Sequence, residues 1–320
     1  MFLEKIFWKY AGSLFSPKGK NGRLSILTYH SVLEKDDPLC PGSISVNDFS
    51  RLIVFLSENF NVIPLDEAVD LLKTGKLPAR AVSLTFDDGY ANNYDIALPV
   101  LQKYKVPATV FIATGFLDGG IMWNDSIIEV FRRYKPDKVN LNEISLGEYV
   151  LASSSDRYNA TQKVISLLKY LEPEKRMQKV RELTEFCKVN LPDNLMMTSE
   201  QVIKMSEAGI TIGGHTINHP ILSKIDDKHA WSEIVGGKNK LETLIKSRVN
   251  LFAYPNGKLD VDYDSRHVKM LSEAGFKAAV STEWGCSNID TDCYQLPRFT
   301  PWNKDRLRFG ARLILNCRNC

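Results

Sequence analysis

The chain of 320 residues reads as an α/β protein built on a parallel sheet with covered faces. Three observations predict this. Short apolar runs recur along the chain in the manner of strands buried on both faces. Stretches with helical period lie between many of them, the order expected of βα units. A hydrophobic content of 44% with 25% charged residues is ordinary globular composition, ample for a sizeable core.

Taken in order, the first stretch, MFLEKIFWKYAGSLF, places Leu3, Ile6, Phe7, Tyr10 and Leu14 at helical spacing, with Lys5 and Lys9 elsewhere around the helix. This describes an amphipathic helix over residues 1–16, either packed on its own domain or lying on an anionic membrane surface. It lacks the uninterrupted apolar segment and small-residue cleavage site of a signal peptide. No apolar run reaches the roughly 20 residues that span a bilayer. Strands are expected at LSILTYH (24–30), AVSLTFDD (81–88), ATVFIAT (108–114), ITIGGH (210–215), NLFAYP (250–255) and KAAVST (277–282). Helical period marks 47–58, 92–105, 227–247 and 262–275.

Residues 124–197 break the rhythm. NDSIIEVFRRY opens on capping residues and reads as a helix, KVNLNEISLGEYVLAS alternates like a hairpin, and 156–190 is helical and charged. We read 118–197 as an excursion from one βα loop, a lid or substrate wall within a single domain spanning 1–320 whose core is 24–115 and 198–300. A second basic amphipathic end covers 302–316, where Leu307, Ala311, Ile314 and Leu315 accompany Arg306, Arg308 and Arg312. The two ends together suggest peripheral contact with anionic lipid.

The net charge of +3 is too small to argue for nucleic acid, and no feature implies an obligate protein partner. Cys40, Cys187, Cys286, Cys293, Cys317 and Cys320 are scattered and read as reduced thiols of a cytoplasmic protein. Cys317 and Cys320 have the spacing of half a zinc knuckle, with no second pair to complete it.

Chemistry concentrates at strand ends. SLTFDDGYANN (83–93) sets Asp87 and Asp88 at the tip of a buried strand. Asp88-Gly89 is a common turn pair, but two like charges there also suit a metal site with one carboxylate on the cation and the other handling a proton. GGHTINHP (213–220) follows another strand, with His215 and His219 four apart, a spacing that puts both imidazoles on one face of a helical turn. Pro220 biases His219 away from α geometry, so one turn or a tight loop is expected. His30 closes LSILTYH, again at a strand's C-terminal end, the active-site face of α/β barrels. His229 and His267 lie in charged helical stretches and read as solvated.

TFDDG (85–89) and HTINH (215–219) resemble the two metal-site motifs of the polysaccharide deacetylases, also called the NodB-homology family or carbohydrate esterase family 4. FAYPNG (252–257) resembles their third motif, and the likeness spans about 24–115 and 198–300. The resemblance implies a distorted (β/α) barrel and metal-dependent removal of N-acetyl groups from amino sugars. By motif position, Asp88, His215 and His219 would bind the metal and Asp87 would be the base. Two imidazoles and a carboxylate suit Zn²⁺, with Co²⁺ or Ni²⁺ able to use the same donors, and they leave positions open for water. Such a metal lowers the pKa of water from ~15.7 towards ~7, and a backbone N–H near Tyr254 would help hold the developing oxyanion.

Two departures from the family matter. The third motif's arginine, which pairs with the catalytic aspartate, is Ala253 here, and Arg298 in YQLPRF is the best substitute. The late Leu-X-His motif is absent, since no histidine follows His267. Some family members are circularly permuted with that strand at the N-terminus, and ILTYH resembles it. His30 is then the general acid that protonates the leaving nitrogen. Tyr90, Trp123, Tyr254 and Asn256 are the candidate substrate contacts. The expected function is hydrolysis of an N-acetyl group on a glycan amino sugar reachable from the cytoplasm, such as a lipid-linked sugar or a growing surface polysaccharide. The alternatives are deacylation of a small non-glycan amide and a catalytically silent sugar-binding protein of a glycan-assembly complex.

Overall fold

The computed structural model describes residues 2–301 and 303–318. Met1, Trp302 and Cys320, which belong to the two amphipathic ends and the cysteine pair discussed above, lie outside the described residues, as do the side chains of Leu3 and Lys5. Seven parallel strands follow one another around a ring in chain order: β1 (Leu24–Tyr29), β2 (Ala81–Phe86), β3 (Thr109–Ile112), β4 (Thr211–Gly214), β5 (Leu251–Ala253), β6 (Ala278–Trp284) and β7 (Leu296–Arg298). The register of the first pair runs from Leu24 opposite Ala81 to Tyr29 opposite Phe86. Phe299, just past β7, donates to Ile26 O at 2.7 Å and accepts from Thr28 N–H at 3.1 Å. These bonds tie the last strand to the first, and the ring is the barrel that the sequence predicts. A short strand, Asn61–Val62, shares one edge of β2 with β3, pairing at Ala81 and Val82 while β3 takes Thr85 and Phe86.

Strand alternation sorts the side chains into two layers. Leu24, Ile26, Ala81, Phe111, Leu251, Ala253, Val280 and Leu296 point inward and form one apolar cluster. Tyr29, Val82, Leu84, Phe86, Val110, Ile112 and Phe252 point outward into a larger one. The helices are α1 (Phe2–Phe15), α2 (Val46–Asn59), α3 (Leu65–Lys73), α4 (Leu98–Tyr104), α5 (Trp123–Arg133), α6 (Ser154–Leu168), α7 (Pro173–Cys187), α8 (Ser199–Glu207), α9 (Asp227–Ile245), α10 (Ser265–Glu273) and α11 (Arg306–Arg318). In α2, Phe49, Leu52, Ile53 and Leu56 supply the buried stripe against the outer layer, at the spacing of one helix face. Leu65, Ala68, Val69 and Leu72 of α3 join the inner cluster, which leaves the opposite, C-terminal end of the strands to carry polar groups.

The excursion leaves the barrel after β3. It comprises α5, an antiparallel pair (Lys138–Asn140 with Glu148–Val150), α6 and α7, around its own apolar cluster that includes Ile127, Phe131, Leu141, Val164 and Leu183. The helix at its start includes Trp123, with Met122 at the cap and no capping side chain, one residue earlier than the sequence suggested.

Two sequence expectations, those for His267 and Cys286, are corrected, and the faces of the two amphipathic ends are set. The predicted stripe of α1 faces outward: Ile6, Phe7, Tyr10 and Leu14 are exposed, while Trp8 packs edge-on against Phe55, with Ala11 and Phe15 also against the core. In α11 Leu307, Ala311 and Leu315 are exposed, whereas Ile314 of the predicted set is buried together with Phe309, Gly310 and Leu313. Gly310 has no side chain to hold Trp8 off, and a Cβ there would stand 2.6 Å from Phe55. His267 is buried rather than solvated, because its Nδ1 accepts from Asp264 N–H at the start of α10. Finally, Cys40, Cys187, Cys293 and Cys317 are free thiols, but Cys286 is disulfide-bonded.

Candidate active site

A cleft of about 890 Å³ opens above the C-terminal ends of the strands, between the barrel and α5–α7. His30, Asp87, Asp88, Tyr90, Trp123, His215, His219, Tyr254 and Asn256 all line it. Arg298 stands behind Asp87, only 2% exposed.

The chain reverses sharply after β2. Asp88 (φ 76°) and Gly89 (φ 87°) both sit in the left-handed region, which glycine tolerates and which aspartate accepts more readily than bulkier residues. The turn sends neighbouring carboxylates in different directions. Asp87 faces Arg298, whose Nη1 and Nη2 donate to Oδ1 at 2.7 Å and Oδ2 at 2.6 Å. The guanidinium is fixed in turn by Ser281 O at 2.8 Å from Nε and by Thr85 Oγ1 at 3.2 Å from Nη1. Burial by itself would raise the Asp87 carboxyl, but the charge and hydrogen bonds of Arg298 outweigh it and hold the group below the usual carboxylate range. The arginine absent from position 253 is thus supplied from β7.

Asp88 faces the two histidines, with Oδ1 3.3 Å from His215 Nε2 and 3.5 Å from His219 Nε2. His215 Nδ1 lies 2.7 Å from the Ala253 carbonyl, which can only accept, so Nδ1 carries the proton and Nε2 of the neutral ring is a lone pair. That lone pair looks at a buried carboxylate oxygen that has no hydrogen-bond donor. A cation between them would remove the conflict. Tetrahedral donors ~2.0–2.1 Å from zinc stand roughly 3.3 Å apart, which matches the two carboxylate–imidazole spacings, and all three donor atoms lie within 4.8 Å of one another. The carbonyl behind His215 is the kind of partner that orients a metal-binding imidazole. Burial pushes His219 down to about 4, which keeps it neutral and free to donate its lone pair.

The histidine segment is a tight loop, not a helical turn. Thr216 (φ 66°) and His219 (φ 52°) are left-handed, and the Thr216 hydroxyl accepts from His219 N–H at 3.0 Å. Glu233 on α9 accepts from the N–H groups of Ile217 and Asn218 at 2.8 and 2.7 Å. A Cβ at position 237 of α9 would stand 2.8 Å from Thr216 O, so only glycine allows this close approach.

His30 is exposed at the mouth of the cleft, with its carbonyl fixed by Asn93 Nδ2 at 2.7 Å. Tyr254 offers the cleft main chain rather than side chain. Its ring stacks on Tyr263 at 3.7 Å, its hydroxyl donates to Tyr294 O, and its N–H is taken by Val280 O. Asn256, left-handed at φ 58°, lines the cleft, and its N–H has no acceptor among the described residues. That makes Asn256 the better candidate oxyanion donor near Tyr254. Tyr90 donates to Asp125 Oδ2 at 3.0 Å. Burial first, and then the charge of Asp88, pushes Asp125 up to about 7. Sequence reading missed Asp125, Glu233 and Arg176. Asp125 and Glu233 look like ordinary helix-surface acids, and nothing in their spacing connects them to the motifs.

The family profile described as polysaccharide deacetylase matches residues 74–141 and 156–279, more than half of the chain. The protein belongs to the polysaccharide deacetylase family. A Staphylococcus epidermidis protein named poly-beta-1,6-N-acetyl-D-glucosamine N-deacetylase is 24% identical over 251 residues, covering 71% of this chain and 83% of its own. The barrel is shared with the Streptococcus pyogenes deacetylase PplD, solved with acetate, at a TM-score of 0.58 and 19% identity over 87% of this chain and 92% of that one. IcaB from Ammonifex degensii superposes with a TM-score of 0.58 at 18% identity, covering 93% and 98% of the two chains.

Proposed function

We propose that this protein removes N-acetyl groups from the amino sugars of a glycan, with a divalent metal, most simply Zn²⁺, held by Asp88, His215 and His219. The observation that carries the proposal is the division of labour between adjacent aspartates: one is locked to a buried arginine, while its neighbour turns a buried oxygen that has no donor towards two imidazoles. When bound, the metal would supply Lewis acidity towards the amide carbonyl and towards water.

The chain's own groups supply the proton traffic. Asp87, ionised and oriented by Arg298, takes a proton from the attacking water. The Asn256 N–H faces the developing oxyanion. His30, in the cleft and outside the metal set, gives a proton to the amine nitrogen, which cannot leave as an amide anion. The position of β1 beside β7 supports reading the strand before His30 as the permuted counterpart of the family's late histidine strand. The relative from Staphylococcus epidermidis makes poly-β-1,6-N-acetylglucosamine the first glycan to try. Acetate release from its oligomers, abolished by chelation and restored by Zn²⁺, is the expected result. No release from these or other N-acetylated glycans, with any of Zn²⁺, Co²⁺ or Ni²⁺ supplied, would remove the proposal.

A membrane-side placement is part of the same reading. Ile6, Phe7, Tyr10 and Leu14 of α1 and Leu307 and Leu315 of α11 are exposed, with Lys9, Arg308 and Arg312 among them. Apolar residues interspersed with cations suit the interface of an anionic bilayer, which they would enter peripherally. Flotation with phosphatidylglycerol vesicles at low salt tests it, and absence of binding there would count against it.

A further inference from the structure

The cleft has a wall that the chemistry above does not use. Arg176 on α7 lines it, although the residue is only 5% exposed. Its guanidinium carbon lies 4.9 Å from the Trp123 ring centroid. Nη1 donates to Lys169 O at 3.1 Å, and Nε has no partner. Among the described residues Arg176 makes no ion pair, and the carboxylate whose charge acts on it is Glu174 in the first turn of the same helix.

The carboxylates that line the cleft are committed elsewhere. Asp87 is held by Arg298, and Asp88 faces the histidines. Asp37 and Glu129 are taken up by Arg132, with Arg133 also on Glu129. Asp125 accepts from Tyr90. What remains is the positive charge of Arg176, with Lys169 beside it in the lining, its ammonium 5.5 Å from the Tyr170 ring centroid and, among the described residues, in no ion pair. A buried, unpaired cation is costly, and such groups are found with a counter-charge.

We propose that Arg176, backed by the Trp123 ring and assisted by Lys169, is a subsite for an oxyanion carried by the substrate, a carboxylate or a phosphate on the glycan. The inference rests on the deacetylase reading and narrows its substrate class: the sugar chain would carry a negative charge within reach of the α6–α7 wall while its acetamido group sits at Asp88 and the histidines. A guanidinium fork suits both anions, since each offers two oxygens in one plane to parallel N–H donors.

The test is binding without turnover, on chelated protein, followed by calorimetry. Three probes are compared: di-N-acetylchitobiose, the same disaccharide as its 1-phosphate, and a glucuronic acid–N-acetylglucosamine disaccharide. At least one anionic probe should bind about tenfold or more tighter than the neutral one, the range of charge-assisted hydrogen bonds, and which one identifies the source of the oxyanion. Arg176→Gln should bring the preferred probe to within about threefold of the neutral sugar while neutral binding persists. Lys169→Gln, at a half-buried position that leaves the fold intact, should cut the preference at least threefold, and it serves if Arg176→Gln does not fold. Equal affinity for all three probes in the wild type, or an unchanged preference in either variant, would overturn the subsite. Anion preference with no acetate release from any N-acetylated glycan would instead retain the subsite and remove the deacetylase reading.

Discussion

Arg298 and Arg176 are buried to similar degrees, at 2% and 5% exposure, on the two sides of one cleft. On the barrel side, the guanidinium has a carboxylate, a carbonyl and a hydroxyl around it, and its task is finished within the chain. On the excursion side, the guanidinium has one carbonyl, one aromatic face and no carboxylate. A paired buried charge positions a neighbour, whereas an unpaired one that lines a cavity is left for something arriving from outside. The barrel side therefore holds the groups proposed to carry the chemistry, and the excursion side holds the charge proposed to meet the substrate.

Four measurements would break or sharpen that contrast. The largest effect belongs to the metal set at the barrel rim. Asp88→Ala, His215→Ala and His219→Ala should each lower bound metal and cut turnover by about 10³-fold or more, read by metal analysis beside acetate release. Full metal occupancy in all three variants would mean the cluster is not a metal site.

Next comes Arg298→Met. It leaves Asp87 buried without its partner and should cost about 3–5 kcal/mol in denaturant unfolding at neutral pH. Arg298 depresses the folded-state pKa of Asp87, so its stabilisation is present above the unfolded carboxylate value and is lost as pH falls through the folded one. The gap between wild type and variant should therefore close in acid. In the variant Asp87 binds its proton more readily, and the acidic limb of the pH–rate profile should move to higher pH. An unmoved limb would reduce Arg298 to packing.

His30→Ala follows, with metal retained and turnover down by ~10²-fold, about 2.7 kcal/mol. Turnover within about threefold of wild type would sink the general-acid role, and loss of metal would make His30 a ligand.

The smallest effect is Arg176→Met. Removing an unpaired buried cation should change unfolding free energy by less than about 1 kcal/mol, in either direction, because lost packing on Trp123 is offset by relief from desolvation. A loss of several kcal/mol would show that Arg176 is a structural prop, and the contrast between the two arginines would disappear.

Much of the candidate site's rim is legible in the chain. TFDDG and HTINH are local in sequence, and their positions after apolar runs place them at strand ends. Arg298 was legible only by elimination, as a cation on a late strand. The partnership itself depends on β7 coming round to β1, a closure that no local pattern encodes. The amphipathic ends were legible as helices but not as to which face turns inward. Apolar stripes at helical spacing predict burial only if a partner surface matches them. Here Trp8 and Gly310 fit each other more closely than the stripe fits anything.

The sequence by itself determined the class of fold and the placing of two aspartates and two histidines at the C-terminal ends of its strands. Each of these depends on periodicity or on groups a few positions apart. Only the tertiary structure decided which groups are paired and which are left over. Asp87 with Arg298, Glu233 under the histidine loop and Arg176 without a counter-charge all depend on contacts between segments far apart in the chain. Burial turns those contacts into chemistry: in water an unpaired charge is unremarked, but in a dry cleft wall it demands a partner.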